Sequence, residues 1–155
     1  METALVQSSL AWENPGKNRR YFSELLKPLA GSVDLIVLPE MFTTGFTMTP
    51  QNISAEEGPR TLEWMQEQSS RANAALTGSI AFQEEGRYYN RLFFAMPDGT
   101  YASYDKRHTF TLAGEDKVYT RGAGRLQLDF RGFRFCPLIC YDLRFPVWSR
   151  NTDGY

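Results

Sequence analysis

The chain opens on a short apolar stretch, Ala4-Leu5-Val6-Gln7, that reads as a first strand. Asn14-Pro15 follows, an N-cap residue type and then a proline at the first helical position, where its missing N–H costs nothing. Phe22, Leu25, Leu26 and Leu29 then recur at i, i+3, i+4 and i+7, the stripe of one helix face. Pro28 falls inside that stripe and predicts that the helix kinks or ends near Lys27. Asp34-Leu35-Ile36-Val37-Leu38 is apolar on both faces, as a buried parallel strand requires, and ends at Pro39-Glu40. A loop rich in Thr, Phe and Gly runs from Met41 to Pro50. Gly58-Pro59 opens a second helix with Leu62, Met65 and Ala72 on one side, and Ala75 to Phe82 reads as the next strand. Strand, helix, strand, helix, strand predicts an α/β fold with right-handed crossovers.

The pattern then changes. Gln83 to Gly86 is a turn, Tyr88 to Ala95 is strand-like, Pro97-Asp98-Gly99-Thr100 is a strong turn signal, and Tyr101 to Tyr104 returns as a partner strand. Lys106 to Gly124 has no clear period, and loops of that length in a compact domain are often functional. Leu126, Leu128 and Phe130 alternate, Arg131-Gly132 turns, and Phe133 to Cys140 reads as a last strand. No internal repeat, low-complexity tract or linker interrupts this order. Glu40, Lys106 and Cys140 therefore all stand where strands end, the edge at which open α/β sheets gather ligands.

Composition narrows the field. The 155 residues suit one domain, with 42% hydrophobic and 23% charged positions. A formal net charge of -1 supplies no general field for nucleic acid or anionic membrane. One histidine and two cysteines exclude multi-His and four-Cys zinc sites and a disulfide-dense scaffold. Residues 1–12 lack the basic start and apolar core of a signal peptide. The apolar run near residues 35–39 is far short of the ~20 residues that cross a bilayer. The expected compartment is the cytoplasm, where thiols stay reduced.

Taken singly, each candidate residue has an ordinary reading: a cysteine as a small buried hydrophobe, a glutamate or lysine as a surface charge. On one extended strand, Cys136 and Cys140 would lie ~13 Å apart, too far for a disulfide, which needs less than about 7 Å. Cys140 is set apart by its place: it closes an apolar strand and precedes a Tyr-Asp-Leu-Arg turn. A nucleophile at such an elbow stands exposed, and the next backbone N–H, that of Tyr141, is free to face an oxyanion. Two bases compete for its proton, His108, the single histidine, and Glu40, which burial on one side inclines toward proton transfer.

Three blocks then stand out together: Leu38-Pro39-Glu40-Met41-Phe42, Tyr104-Asp105-Lys106-Arg107-His108, and Ile139-Cys140-Tyr141-Asp142-Leu143-Arg144-Phe145-Pro146. In order and spacing they resemble the signature blocks of the nitrilase superfamily of carbon–nitrogen hydrolases. The wider wording, from Glu40 to Phe46 and from Asp142 to Arg150, is similar to the omega-amidase branch. That resemblance implies a nitrilase-like αββα sandwich and a Glu-Lys-Cys triad: Glu40 as general base, Lys106 facing the oxyanion, Cys140 as nucleophile. Glu115 is the best match to a second family glutamate. Tyr141, Arg144 and Phe46 are the candidate substrate-binding residues, with Arg144 a cation for a substrate carboxylate or else an ion-pair partner under the elbow.

The resemblance implies hydrolysis of a small ω-amide of the 2-oxoglutaramate or 2-oxosuccinamate kind to carboxylate and ammonia through a cysteine thioester. It implies no metal and no organic cofactor. A nitrilase or a carbamoyl hydrolase of the same superfamily is the neighbouring alternative. The family domain continues beyond its cysteine block, so residues 1–155 are expected to form a single domain truncated at the C-terminus. A catalytically inactive fragment or interaction module is the alternative from another class. The expected partners are a small-molecule amide and, for the complete protein, a second copy in a homodimer.

Overall fold

The computed structural model describes residues 1–152 and 154–155. Three short runs pair side by side in parallel: β1 (Thr3–Leu5), β2 (Leu35–Val37) and the start of β3 (Ala75–Glu84). Parallel neighbours need crossovers, and two helices supply them, α1 (Pro15–Leu26) after β1 and α2 (Glu57–Ala72) after β2. From β3 onward the chain folds back on itself. β4 (Arg87–Ala95) and β5 (Tyr101–Asp105) add antiparallel, giving a five-stranded sheet in sequence order.

Alternation along the strands sorts the core into two faces. Ile36, Leu38, Leu76, Ile80 and Phe93 face Phe22 and Leu26 of α1 and Met65 and Ala72 of α2. Leu35, Ala75, Leu92, Phe94 and Tyr104 face the other way, against Ile139, Phe130 and Phe135. That second face carries the hairpin of β6 (Leu128–Phe130) and β7 (Phe133–Phe135) and then α3 (Pro146–Ser149). The described residues thus form a helix layer, a sheet and the start of a second sheet layer.

The expected boundaries largely hold. Asn14 caps α1 by accepting from the Lys17 N–H at 3.1 Å, and α1 gives way to a single 3-10 turn at Lys27–Leu29, where Pro28 sits. The buried stripe differs: Asn18, Phe22 and Leu26 are buried, while Leu25 is 38% exposed. The β3–β4 hairpin turns on Glu85 and Gly86, and β6–β7 on Arg131 and Gly132, each pair with two positive φ angles. That is the two-residue turn matching the twist of the strands. β1 is shifted to Thr3–Leu5, one residue earlier than expected. The last strand is a correction: β7 ends at Phe135 rather than running to Cys140. Its partner β6 is three residues long, and Pro137 has no N–H to offer a ladder.

Candidate active site

Glu40 leaves β2 on a segment still tied to β3. Leu38 N–H donates to the Thr77 carbonyl at 2.8 Å, Met41 N–H to Ser79 Oγ at 3.0 Å, and Phe42 N–H to the Ser79 carbonyl at 3.1 Å. Met41 is fully buried and left-handed, with φ of 48°. A bulky residue held there costs on the order of 1–3 kcal/mol and persists only where its surroundings dictate it. The loop beyond is pinned from three sides. Buried Asn18 Nδ2 donates to the Thr43 carbonyl, Glu13 accepts from Thr47, Thr49 and Asn52, and Tyr119 Oη donates to the Thr47 carbonyl.

Lys106 directly follows β5, and its backbone N–H extends the ladder by donating to the Asn90 carbonyl at 3.0 Å. Its ammonium lies 2.7 Å from Glu40 Oε1 and 3.0 Å from Glu115 Oε2. The lysine side chain is 1% exposed and that of Glu115 0%, whereas Glu40 keeps 23%. Burial alone would lower the lysine, but the charges and hydrogen bonds of the two carboxylates outweigh it and hold the ammonium above its ordinary range. Glu115 is saturated: Oε1 accepts from Lys106 and Asn90, and Oε2 from Lys106 and the Phe110 N–H. It holds the lysine in place, and Glu40 is the carboxylate left partly open to the cavity.

Behind Lys106 the chain packs closely. Gly122 N–H donates to the Lys106 carbonyl at 2.9 Å, and a Cβ on Gly122 would stand 2.1 Å from the Asp105 carbonyl oxygen. Gly122→Ala must therefore push the loop away from the strand that carries Lys106. The expected result is a loss of about 1–3 kcal/mol in urea unfolding, the usual range for overpacking.

Cys140 begins a 3-10 turn, Cys140–Arg144, after the extended Ile139, and its own backbone is left-handed at φ 41°. The elbow expected from the sequence takes another form, an extended segment leading into a 3-10 turn, because no strand runs up to Cys140. Cys140 and Cys136 are both outside any disulfide. The thiol is pushed above its ordinary range, first by partial desolvation and then by the charge of Glu40, with Lys106 pulling the other way. It rests as a protonated thiol beside a carboxylate.

Asp142 fastens the elbow from beneath. It is 0% exposed and accepts from Tyr104 Oη at 2.7 Å, His108 N–H at 2.8 Å and Ile139 N–H at 3.1 Å, with His108 Nδ1 at 2.8 Å. His108 also stacks on Phe145 at 3.8 Å between ring centroids. The histidine is therefore a strut of the elbow, bound to Asp142. Asp142→Ala leaves several buried donors without an acceptor, each costing about 1–3 kcal/mol. Chemical denaturation is expected to show a loss of at least about 3 kcal/mol, the sum of the smaller of those costs over three donors.

Of the residues singled out in the sequence, Glu40, Lys106, Glu115 and Cys140 come together, and Phe46 joins them with its ring 5.3 Å from Lys106 Nζ. Tyr141 is half-buried between Phe110 and Phe145, at centroid separations of 5.1 and 5.3 Å. Arg144 is elsewhere: it is exposed and lines a groove with Arg107, His108 and Trp148, apart from the cavity that holds Glu40 and Cys140. That cavity measures about 280 Å³ and is walled by Val37, Leu38, Thr77, Leu92, Leu138 and Ile139. Its size suits a small molecule. Among the described residues, no group of three metal-ligating side chains is arranged to hold an ion. Among the described residues, no helix is long and apolar enough to cross a membrane.

The carbon–nitrogen hydrolase family model matches residues 2–153. The chain belongs to the carbon–nitrogen hydrolase family. Within it, the chain is 42% identical over its full length to the omega-amidase YafV of Escherichia coli (strain K12), covering 60% of that protein. It is 27% identical over 149 residues to the 2-oxoglutaramate amidase of Bacillus subtilis (strain 168), covering 94% of this chain and 58% of that one. A crystal structure of a carbon–nitrogen hydrolase superfamily protein from Xanthomonas campestris, with an arsenic adduct in its active site, superposes with a TM-score of 0.92. It is 44% identical and covers 97% of this chain and 57% of that one. The chain thus spans about 60% of the length of the curated relatives it matches, and its α/β fold is that of the nitrilase superfamily.

Two members of the site were missed in the sequence. Asn90 is 1% exposed and donates to both Glu40 and Glu115. A polar amide inside a strand, a residue type depleted there, was the available signal. Asp142 was read only as part of a turn, because nothing local announces that its oxygens reach back to Tyr104 and His108.

Proposed function

We propose that this site hydrolyses the terminal amide of a short dicarboxylic acid, including 2-oxo acid amides of the 2-oxoglutaramate and 2-oxosuccinamate kind. The observation that carries the reading is the buried Lys106 ammonium clamped between Glu40 and Glu115, beside a left-handed Cys140 that shares a cavity with Glu40. The names of the relatives, an omega-amidase and a 2-oxoglutaramate amidase, support the substrate class.

In this mechanism Cys140 Sγ attacks the amide carbon while Glu40 takes the thiol proton. The oxygen gains charge and is met by the Lys106 ammonium and the Tyr141 N–H. One placed donor of this kind is worth about 2.7–4 kcal/mol in the transition state. The C–N bond breaks as Glu40 returns the proton to nitrogen, ammonia leaves and a thioester remains on Cys140. Water then attacks the thioester, Glu40 takes its proton, and the carboxylate departs as the thiol reforms. Glu115 keeps Lys106 charged and aimed, and Phe46 walls the site.

A cytoplasmic setting fits two cysteines outside any disulfide.

The test is a panel of ω-amides, nitriles and carbamoyl compounds, with ammonia release measured for each. Release from ω-amides of dicarboxylic acids, lost in Cys140→Ser, supports the reading. Release from nitriles or carbamoyl compounds alone replaces the substrate class, and no release from any of them defeats it.

A further inference from the structure

We propose that Asn90 is a positioning residue of the reaction: it donates to both active-site carboxylates and so sets which one carries the proton. The inference rests on the proposed role of Cys140 and Glu40. Asn90 lies on β4 opposite Ala81, where its carbonyl accepts from the Lys106 N–H. Its Nδ2 donates to Glu40 Oε1 at 2.8 Å and to Glu115 Oε1 at 3.0 Å. One residue of β4 thus pairs with the lysine through its backbone and with both flanking acids through its side chain.

The amide's orientation is fixed by what it faces. Turned over, Oδ1 would meet two carboxylate oxygens with no proton between them. As it stands, Oδ1 is buried without a hydrogen-bond partner. An unpaired acceptor in the core is a penalty that a residue kept for packing would avoid by being apolar. The penalty is offset on the Nδ2 side. Two carboxylates share one ammonium there, and the amide adds donors without adding charge. Because Lys106 and Asn90 both bind Glu40 through Oε1, the other oxygen, Oε2, is left as the one to receive the thiol proton.

The groups facing Glu40 and Glu115 are Lys106, Cys140 and Tyr119, the last pushed up first by burial and then by the charge of Glu115. Removing the Asn90 donors leaves both carboxylates with a stronger hold on a proton. Glu40 then becomes available as a base only at higher pH.

The test measures iodoacetamide alkylation of Cys140 against pH by peptide mass spectrometry, in the parent chain, in Asn90→Leu and in Asn90→Ser. Asn90→Leu keeps the size and removes the donors without adding charge. Asn90→Ser keeps one donor on a shorter arm. The expected result is an acid limb moved upward by about one pH unit or more in Asn90→Leu, a smaller move in Asn90→Ser, and a fall in kcat larger than any change in KM. A profile that superimposes on the parent's in a folded Asn90→Leu, with a parent-like melting curve, overturns the proposal. If Asn90→Leu does not fold, an unchanged profile in Asn90→Ser overturns it. A parent chain whose Cys140 is alkylated no faster than Cys136 defeats instead the catalytic reading on which it rests.

Discussion

Lys106→Met should be the most damaging single change, in stability and in activity together. The ammonium is 1% exposed and is the cation between two carboxylates, one of them fully buried. Methionine fills much of the space but leaves Glu40 and Glu115 facing each other without a counter-charge. Breaking a buried ion pair from one side costs about 3–5 kcal/mol, because the charge left behind is uncompensated. Urea unfolding of Lys106→Met at neutral pH should show a loss of that size. The loss should shrink as pH falls, since a proton on one carboxylate removes the repulsion. The opposite limb follows from the lysine itself. Its folded value is raised, so its stabilisation is complete below the ordinary lysine range and disappears only as pH climbs through the folded value. In the parent chain the site therefore weakens in strong alkali, and Lys106→Met should lack that limb. Amide hydrolysis should fall by at least about 10²–10³-fold, the worth of one oxyanion donor. A stable, half-active Lys106→Met would show that the lysine is not the centre of the site.

Glu40→Gln is expected to separate two properties that usually move together. Glu40 raises the Cys140 thiol by its charge and by accepting a hydrogen bond from it, while Lys106 acts the other way. Glutamine removes the negative charge and leaves the ammonium. The thiol should then lose its proton at lower pH than in the parent, read as ultraviolet thiolate absorbance in a Cys136→Ser background. Burial, the largest of the raising influences, remains, so the shift is partial. Amide turnover should nonetheless fall by about 10²–10⁴-fold, the usual contribution of a placed acid–base group. A more acidic thiol with less turnover means that the base is used for proton delivery to the leaving nitrogen, beyond activation of the thiol. If turnover rose with thiol acidity, Glu40 would be a mere restraint on the nucleophile.

Much of this site was legible in the order of residues, for a local reason. Glu40 and Lys106 closely follow β2 and β5, and periodicity locates strand ends well enough to place both at one edge, whereas Cys140 follows an extended segment and no strand. The α1 cap and its end near Pro28 were equally local, since Asn14, Pro15 and Pro28 act on their own turns. What was hidden depends on distance in sequence. Asp142 reaches Tyr104 across 38 positions and His108 across 34. Asn90 reaches Glu40 across 50. No periodicity encodes a side chain that bridges elements. Arg144 shows the converse: its place four residues after the nucleophile suggested a shared pocket, but the 3-10 turn carries it to another groove. The over-long last strand has a similar origin, because an apolar run cannot announce that its ladder stops at a proline.

The central claim is that Cys140 becomes acylated by an ω-amide with loss of ammonia. It is tested most directly by quenching the chain with acid during incubation with glutaramate and mapping the adduct by mass spectrometry. The account predicts a glutaryl thioester on the peptide bearing Cys140, ammonia released with it, and neither in Cys140→Ser. No adduct and no ammonia, or an adduct carried by Cys136, would contradict it.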